Sequence, residues 1–209
     1  MSKSKICTIF MVLFLAQAAL GKSVDTSNSV ESSEETVKNF TPKQRLITYM
    51  AISIIGMVQE YSDKCMNVSR SILKDEDFLA HHEPMVVEFK NNLTQFVEAT
   101  EANKDMEKMF DFVDIFSNTT DFYYEIPEDK VTPEQKYIIE VLNKHHYKDI
   151  EIEMNKLFEP FSEKFMKMFN EYRSDLDKPM LDWYERYQQI EDFEEKLEAF
   201  TELTKIVDD

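Results

Sequence analysis

Glycine is nearly missing from this chain: two in 209 residues, Gly21 and Gly56. Phosphate-cradling loops, dinucleotide fingerprints and nucleophile elbows all need glycines at fixed spacing, so these motifs are excluded. Sheet proteins need turn glycines as well, whereas helices do without them, and the expected fold class is all-α. Cysteine is equally scarce, with only Cys7 and Cys65. A disulfide framework is therefore ruled out, and with it six-cysteine odorant-binding scaffolds and most small toxins. Positive charge is in short supply too. Lys and Arg total 24 against 41 Asp and Glu, for a net charge of −17. Such a surface repels nucleic acid and anionic membrane surfaces, and suits solubility, cation attraction or a basic partner.

The first residues, "MSKSKICTIFMVLFLAQAALG", read as a secretory signal peptide. Lys3 and Lys5 give the positive start, Ile6 to Leu15 the apolar run, and Ala19 and Gly21 the small residues before the cut. The apolar run is shorter than the roughly 20 residues of a membrane span. Cleavage after Gly21 is expected to release residues 22–209 as a secreted, extracellular protein with no membrane span. It would carry 22 basic and 41 acidic residues and a single cysteine, Cys65. Without an intrachain bridge it must be held by its apolar core, with Cys65 as a buried small hydrophobe.

Residues 22–40 are rich in Ser, Thr and acids and read as a disordered leader. After them the apolar residues follow a 3.6-residue period. From Ile47 they recur at 50, 54, 57, 61, 65, 68 and 72, seven turns of one helix. Thr41, Pro42 and Gln44 form its start, a capping box with proline in the first turn. Gly56 in mid-helix predicts a close helix contact. A second helix opens at "EPMVVEF" (83–89), with a break near Asn103. The stretch 117–131, "SNTTDFYYEIPEDKV", reads as a polar linker. A third helix opens at Thr132 with the same Thr-Pro-x-Gln box, is interrupted at "KHHYKD" (144–149), and should kink or divide at Pro160. A fourth begins at "KPMLDWY" (178–184). The expected architecture is an antiparallel bundle of about four long helices. Its divisions are helical hairpin 41–116, linker 117–131 and helical hairpin 132–209, the hairpins packing as one domain. The shared box at Thr41 and Thr132, each followed by a Pro-Met helix start, makes an internal duplication one explanation. Common helix-start grammar is the other.

Four Asn-x-Ser/Thr sequons make glycosylation the leading site chemistry: Asn39, Asn67, Asn92 and Asn118. Asn118, in the polar linker, is the best acceptor. Asn67 points away from the core stripe of its helix, Asn92 borders a stripe, and the hydroxyl of Thr41, which completes the Asn39 sequon, is wanted as a helix cap. Histidine comes as two adjacent pairs, His81–His82 and His145–His146. Neighbouring helix positions point about 100° apart, so these pairs do not chelate and read as turn or surface residues. "HEPMV" (82–86) carries Val86 where a zinc protease needs its second histidine. "DEDFLAHHEPMV" (75–86) lacks the glycine and terminal glutamate of a calcium loop. Cys65 with a distant histidine is the one conceivable dyad, and its place on the core stripe argues for a buried thiol. No catalytic, cofactor-binding or metal residue is assigned, and the chain is not expected to be an enzyme.

The apolar content is unusual: residues 22–209 hold 14 Phe and 10 Met against 10 Leu. Phe- and Met-lined bundles can open around a fatty acid, retinoid or sterol, so a hydrophobic-ligand carrier is an alternative to a protein-interaction role. Looser divalent-cation binding by acids such as Glu125, Glu128 and Asp129, or Glu191 to Glu195, is a further alternative.

At "FYYEIPEDKVTPEQK" (122–136) the sequence resembles the SXP/RAL family of secreted nematode antigens. The resemblance rests on Phe122 or Tyr123, then Ile126, then Thr132 six residues on at a helix start. It extends through about residue 205, with Ile190 and Glu194 in a later rhythm. It implies a secreted helical protein, sometimes linked with divalent cations, and no catalysis. No binding residue carries over.

Overall fold

The computed structural model describes residues 40–103 and 105–208, and these are helical throughout apart from short connections. In chain order the helices are α1 (Pro42–Ile72), α2 (Glu76–Ala80), α3 (Pro84–Ala102), α4 (Met106–Thr120) and α5 (Phe122–Glu125). They are followed by α6 (Pro133–Lys144), α7 (Tyr147–Tyr172), α8 (Lys178–Tyr187) and α9 (Phe193–Asp208). Single 3₁₀ turns at Glu128–Lys130 and Arg173–Asp175 lie between. No strand occurs among the described residues. The expected signal peptide, nearly all of the expected leader and the Asn39 sequon asparagine lie outside them.

Local chemistry explains where the helices start. At Thr41 the hydroxyl accepts the Gln44 amide at 3.2 Å and the Gln44 side chain accepts the Thr41 amide at 2.9 Å. Thr132 and Gln135 repeat the exchange at 3.3 and 2.9 Å. Each box satisfies two amide donors that a helix end would otherwise leave bare. Aspartates start the shorter helices: Asp75 accepts the Asp77 and Phe78 amides, and Asp177 the Met180 amide. The interruption at the histidines is real. His146 stands at φ 61°, in the left-handed region, and α7 begins at the next residue.

By compactness the described chain divides into two units. The first is residues 57–156, and the second joins residues 40–56 to 157–208. The division therefore differs from the two tandem hairpins at 41–116 and 132–209, because α1 and α7 each contribute to both units. A helix of 31 residues is roughly 46 Å long, more than the ~30 Å width of a small domain.

The first unit has a mixed core. Val86, Phe89, Leu93 and Phe96 of α3 are buried, as are Val113 and Phe116 of α4 and Ile138, Val141 and Leu142 of α6. Threaded among them are hydroxyls. Ser62, Ser69, Ser117 and Thr120 are all buried, and all belong to this unit. The Tyr61 and Ser117 hydroxyls lie 3.3 Å apart. Tyr147 donates to Asp121 Oδ1 and accepts from Thr120 Oγ1 at 2.7 Å. Burial first, then the Asp121 charge, pushes the Tyr147 phenol far above its ordinary range. Among the described residues Ser69 Oγ has no hydrogen-bond partner.

The second unit is packed with rings. Phe165 stands between Phe169, Trp183 and Phe200, with centroids 5.0–6.2 Å away. Tyr184 stacks on Phe169 at 4.4 Å and Tyr187 on Trp183 at 5.0 Å. The polar handles are satisfied: Trp183 Nε1 donates to the Ala199 carbonyl at 2.7 Å, and the Tyr187 hydroxyl meets Ser162 Oγ at 2.8 Å.

The structure refines three sequence expectations. The stretch 117–131, expected as a polar linker without a sustained period, is largely helical: α4 runs on to Thr120, and α5 and a 3₁₀ turn follow. The hydroxyls of Ser117 and Thr120 and the ring of Tyr123 are buried there, which holds the segment against its unit. Of the two outcomes expected at Pro160, a kink or a division, the division does not occur: α7 continues from Tyr147 to Tyr172. Gly56 makes no close helix contact, since a Cβ there would meet nothing within 4 Å among the described residues.

Candidate functional site

A cluster of reactive side chains lies in the first unit, where the end of α1, the start of α2 and the end of α6 meet. Ser71 occupies the last turn of α1, Asp75 caps α2, and Lys144 and His145 end α6. Ser71 Oγ is 2.8 Å from His145 Nδ1, and His145 Nε2 is 2.8 Å from Asp75 Oδ2. Lys144 Nζ reaches the same Oδ2 at 2.7 Å. Asp75 and His145 are almost enclosed, their side chains 8% and 11% exposed, while Lys144 is open to solvent. The hydrogen bond from Lys144, then that from His145, holds the Asp75 carboxyl well below the usual carboxylate range. An ionised Asp75 requires a proton on Nε2, and in the neutral imidazole Nδ1 then accepts from the Ser71 hydroxyl. Beside this row the His81 ring lies 4.0 Å from that of Tyr137, and His81 Nδ1 pairs with Glu83 Oε2 at 3.2 Å.

Serine, imidazole and carboxylate in a row are the residue types of a nucleophile, a base and an orienting acid. Two features work against acyl transfer here. The Asp77 and Phe78 amides at the start of α2 bond Asp75 Oδ1 at 3.1 and 3.4 Å, so these two backbone donors are not free to hold an oxyanion. Ser71 also sits at a helix C-terminus, whose carbonyls disfavour an alkoxide. What the row does physically is fasten three helix ends together through charge-assisted hydrogen bonds.

The sequence reading of the histidines was too coarse. His82 and His146 are exposed turn residues, as expected, but His145 is enclosed and bonded on both ring nitrogens. The only hint in the sequence was a basic pair closing a well-capped helix. Its partners lie 70 and 74 residues away along the chain, beyond any local pattern.

The remaining candidates are scattered. Asn118 and Asn67 are exposed, on α4 and α1 respectively. Asn92 on α3 is half-buried, and its Thr94 hydroxyl donates to the Lys90 carbonyl at 2.9 Å. Thr41 uses its hydroxyl as a cap. Cys65 is free and fully buried, and burial pushes its thiol well above the ordinary range, which suits an inert core residue. Among the described residues no three His, Cys, Asp or Glu side chains converge to hold a metal ion. No described helix is long and apolar enough to cross a membrane. Among the described residues the large apolar side chains of Ile52, Leu79, Ile115, Phe122 and Ile152 are exposed. No family model matches the chain, and comparison with curated proteins and with solved structures yields no match either.

Proposed function

We propose that the protein is a secreted, N-glycosylated helical protein without catalytic activity that works by binding an extracellular protein partner through its outer faces. The observation that carries this reading is how the aromatic residues are used. The Phe and Trp side chains that could line a ligand cavity are instead packed ring against ring, as around Phe165 and Trp183. That leaves the surface for function, and the surface is acidic: 41 acidic residues against 24 basic ones in the whole chain. A basic partner is the complement such a surface selects. The exposed sequons at Asn67 and Asn118 support passage through a glycosylating secretory route. The resemblance at 122–136 points toward the same class of protein.

The test is capture from the protein's own extracellular fluid, with washes of increasing salt. The expected result is a defined basic protein retained at low salt and released as screening shortens the reach of charge to a few ångströms at about 1 M. Retention of nothing salt-sensitive, together with an apolar molecule extracted from the purified protein, would replace this reading with the carrier.

A further inference from the structure

Two of the exposed apolar side chains flank a sequon. Ile115, 52% exposed, precedes Asn118 by three residues on α4, and Phe122, 53% exposed, follows it by four. The residue between the two helices, Asp121, keeps right-handed helical backbone (φ −64°, ψ −33°), and its amide bonds the Ser117 carbonyl at 2.8 Å. The helical path therefore carries on to Phe122. At 3.6 residues per turn the three side chains fall within about 60° of one another around that path. Asn118 itself is exposed. On the opposite side of the same turn Phe116, Ser117 and Thr120 are fully buried, which fixes the orientation of the face.

We infer that an N-linked glycan on Asn118 lies along this face, its first N-acetylglucosamine seated on the Phe122 ring and against Ile115. A pyranose presents a face of C–H groups that packs on an aromatic ring, and its N-acetyl methyl is a small apolar group suited to the Ile115 side. Its hydroxyls stay in water. This would explain why two large apolar side chains stand open on an otherwise charged surface one turn to either side of an acceptor asparagine. The inference rests on the proposed secretory, glycosylated reading and specifies what the sugar touches.

The experiment uses the full chain secreted from a eukaryotic host. Peptide mass mapping first reads the occupancy of each sequon. Melting temperatures are then compared for glycosylated protein, protein trimmed to one N-acetylglucosamine per site, and an Asn118→Gln variant, each with and without Phe122→Ala. The expected result is full retention of stability on trimming and a loss of about 2 °C on Asn118→Gln. Phe122→Ala should abolish that loss, and in the glycosylated protein the pyranose C–H proton resonances of the first sugar should move downfield in the same variant as the ring current is removed. Occupied Asn118 with equal losses in both backgrounds and no resonance shift overturns the inference alone. An unmodified Asn118 beside other occupied sequons also overturns it and leaves the glycoprotein reading standing. No glycan on any secreted chain overturns both.

Discussion

The two compact units are built on different principles. The unit at 40–56 and 157–208 is stabilised mainly by large rings, of which Trp183 and Tyr187 have their polar atoms hydrogen-bonded. The unit at 57–156 carries its hydroxyls, its thiol and its enclosed carboxylate inside or at the edge of the core. A ring core derives its stability from area and dispersion, which are insensitive to pH and tolerate little loss of volume. A hydroxyl-threaded core depends on each donor finding its acceptor, so it is sensitive to single-atom changes and to protonation.

The largest break in this comparison should come from Phe165→Ala. Phe165 is fully buried against four aromatic neighbours, and its removal should cost about 3–5 kcal/mol in a urea melt. The single tryptophan, Trp183, is one of those neighbours, so its fluorescence reports on this unit. In the other unit Tyr147→Phe removes one oxygen, changes almost no volume, and takes one hydrogen bond from each of Thr120 and Asp121. It should cost about 1–3 kcal/mol by the same measurement. If it costs nothing, the hydroxyl network is not what distinguishes this unit.

Protonation should separate the units next. The Asp75 carboxyl is held below its ordinary value by Lys144 and His145. A depressed carboxylate contributes stability that is fully present above its unfolded pKa, about 3.9, and is lost as pH falls toward its folded pKa. Wild type should therefore be more stable than Asp75→Asn at pH 7, with the gap narrowing steadily below about pH 4. A gap unchanged down to pH 2.5 would show that the fastening of the three helix ends does not depend on charge. The smallest effect should be a gain: Gly56→Ala in mid-α1 meets no neighbour and should stabilise the protein by about 1 kcal/mol, seen as a higher melting temperature.

Much of this fold was legible in the sequence where the cause is local. Thr41 with Gln44 and Thr132 with Gln135 announce their helices because a capping box involves four consecutive residues. The period of α1 was readable for the same reason, with one slip: Val58 is buried where Met57 was expected, and Met57 is half-buried. Gly56 misled because a glycine in a helix reads as a close contact until its surroundings are seen. Pro160 does not divide its helix because a helix held by tertiary packing can absorb the loss of one backbone bond. The junction of Ser71, Asp75, Lys144 and His145 was out of reach. Its members are separated by up to 74 residues, and nothing in a serine or aspartate at a helix end says which distant imidazole it will meet.

The account's central claim is that the apolar side chains are used for packing, which leaves the outer face for binding. Native mass spectrometry of the protein purified from a secreting host, followed by organic extraction, tests this most directly. The prediction is a mass equal to the processed polypeptide plus its glycans, with no apolar molecule in the extract. A fatty acid, retinoid or sterol bound one to one and released by the solvent would contradict it.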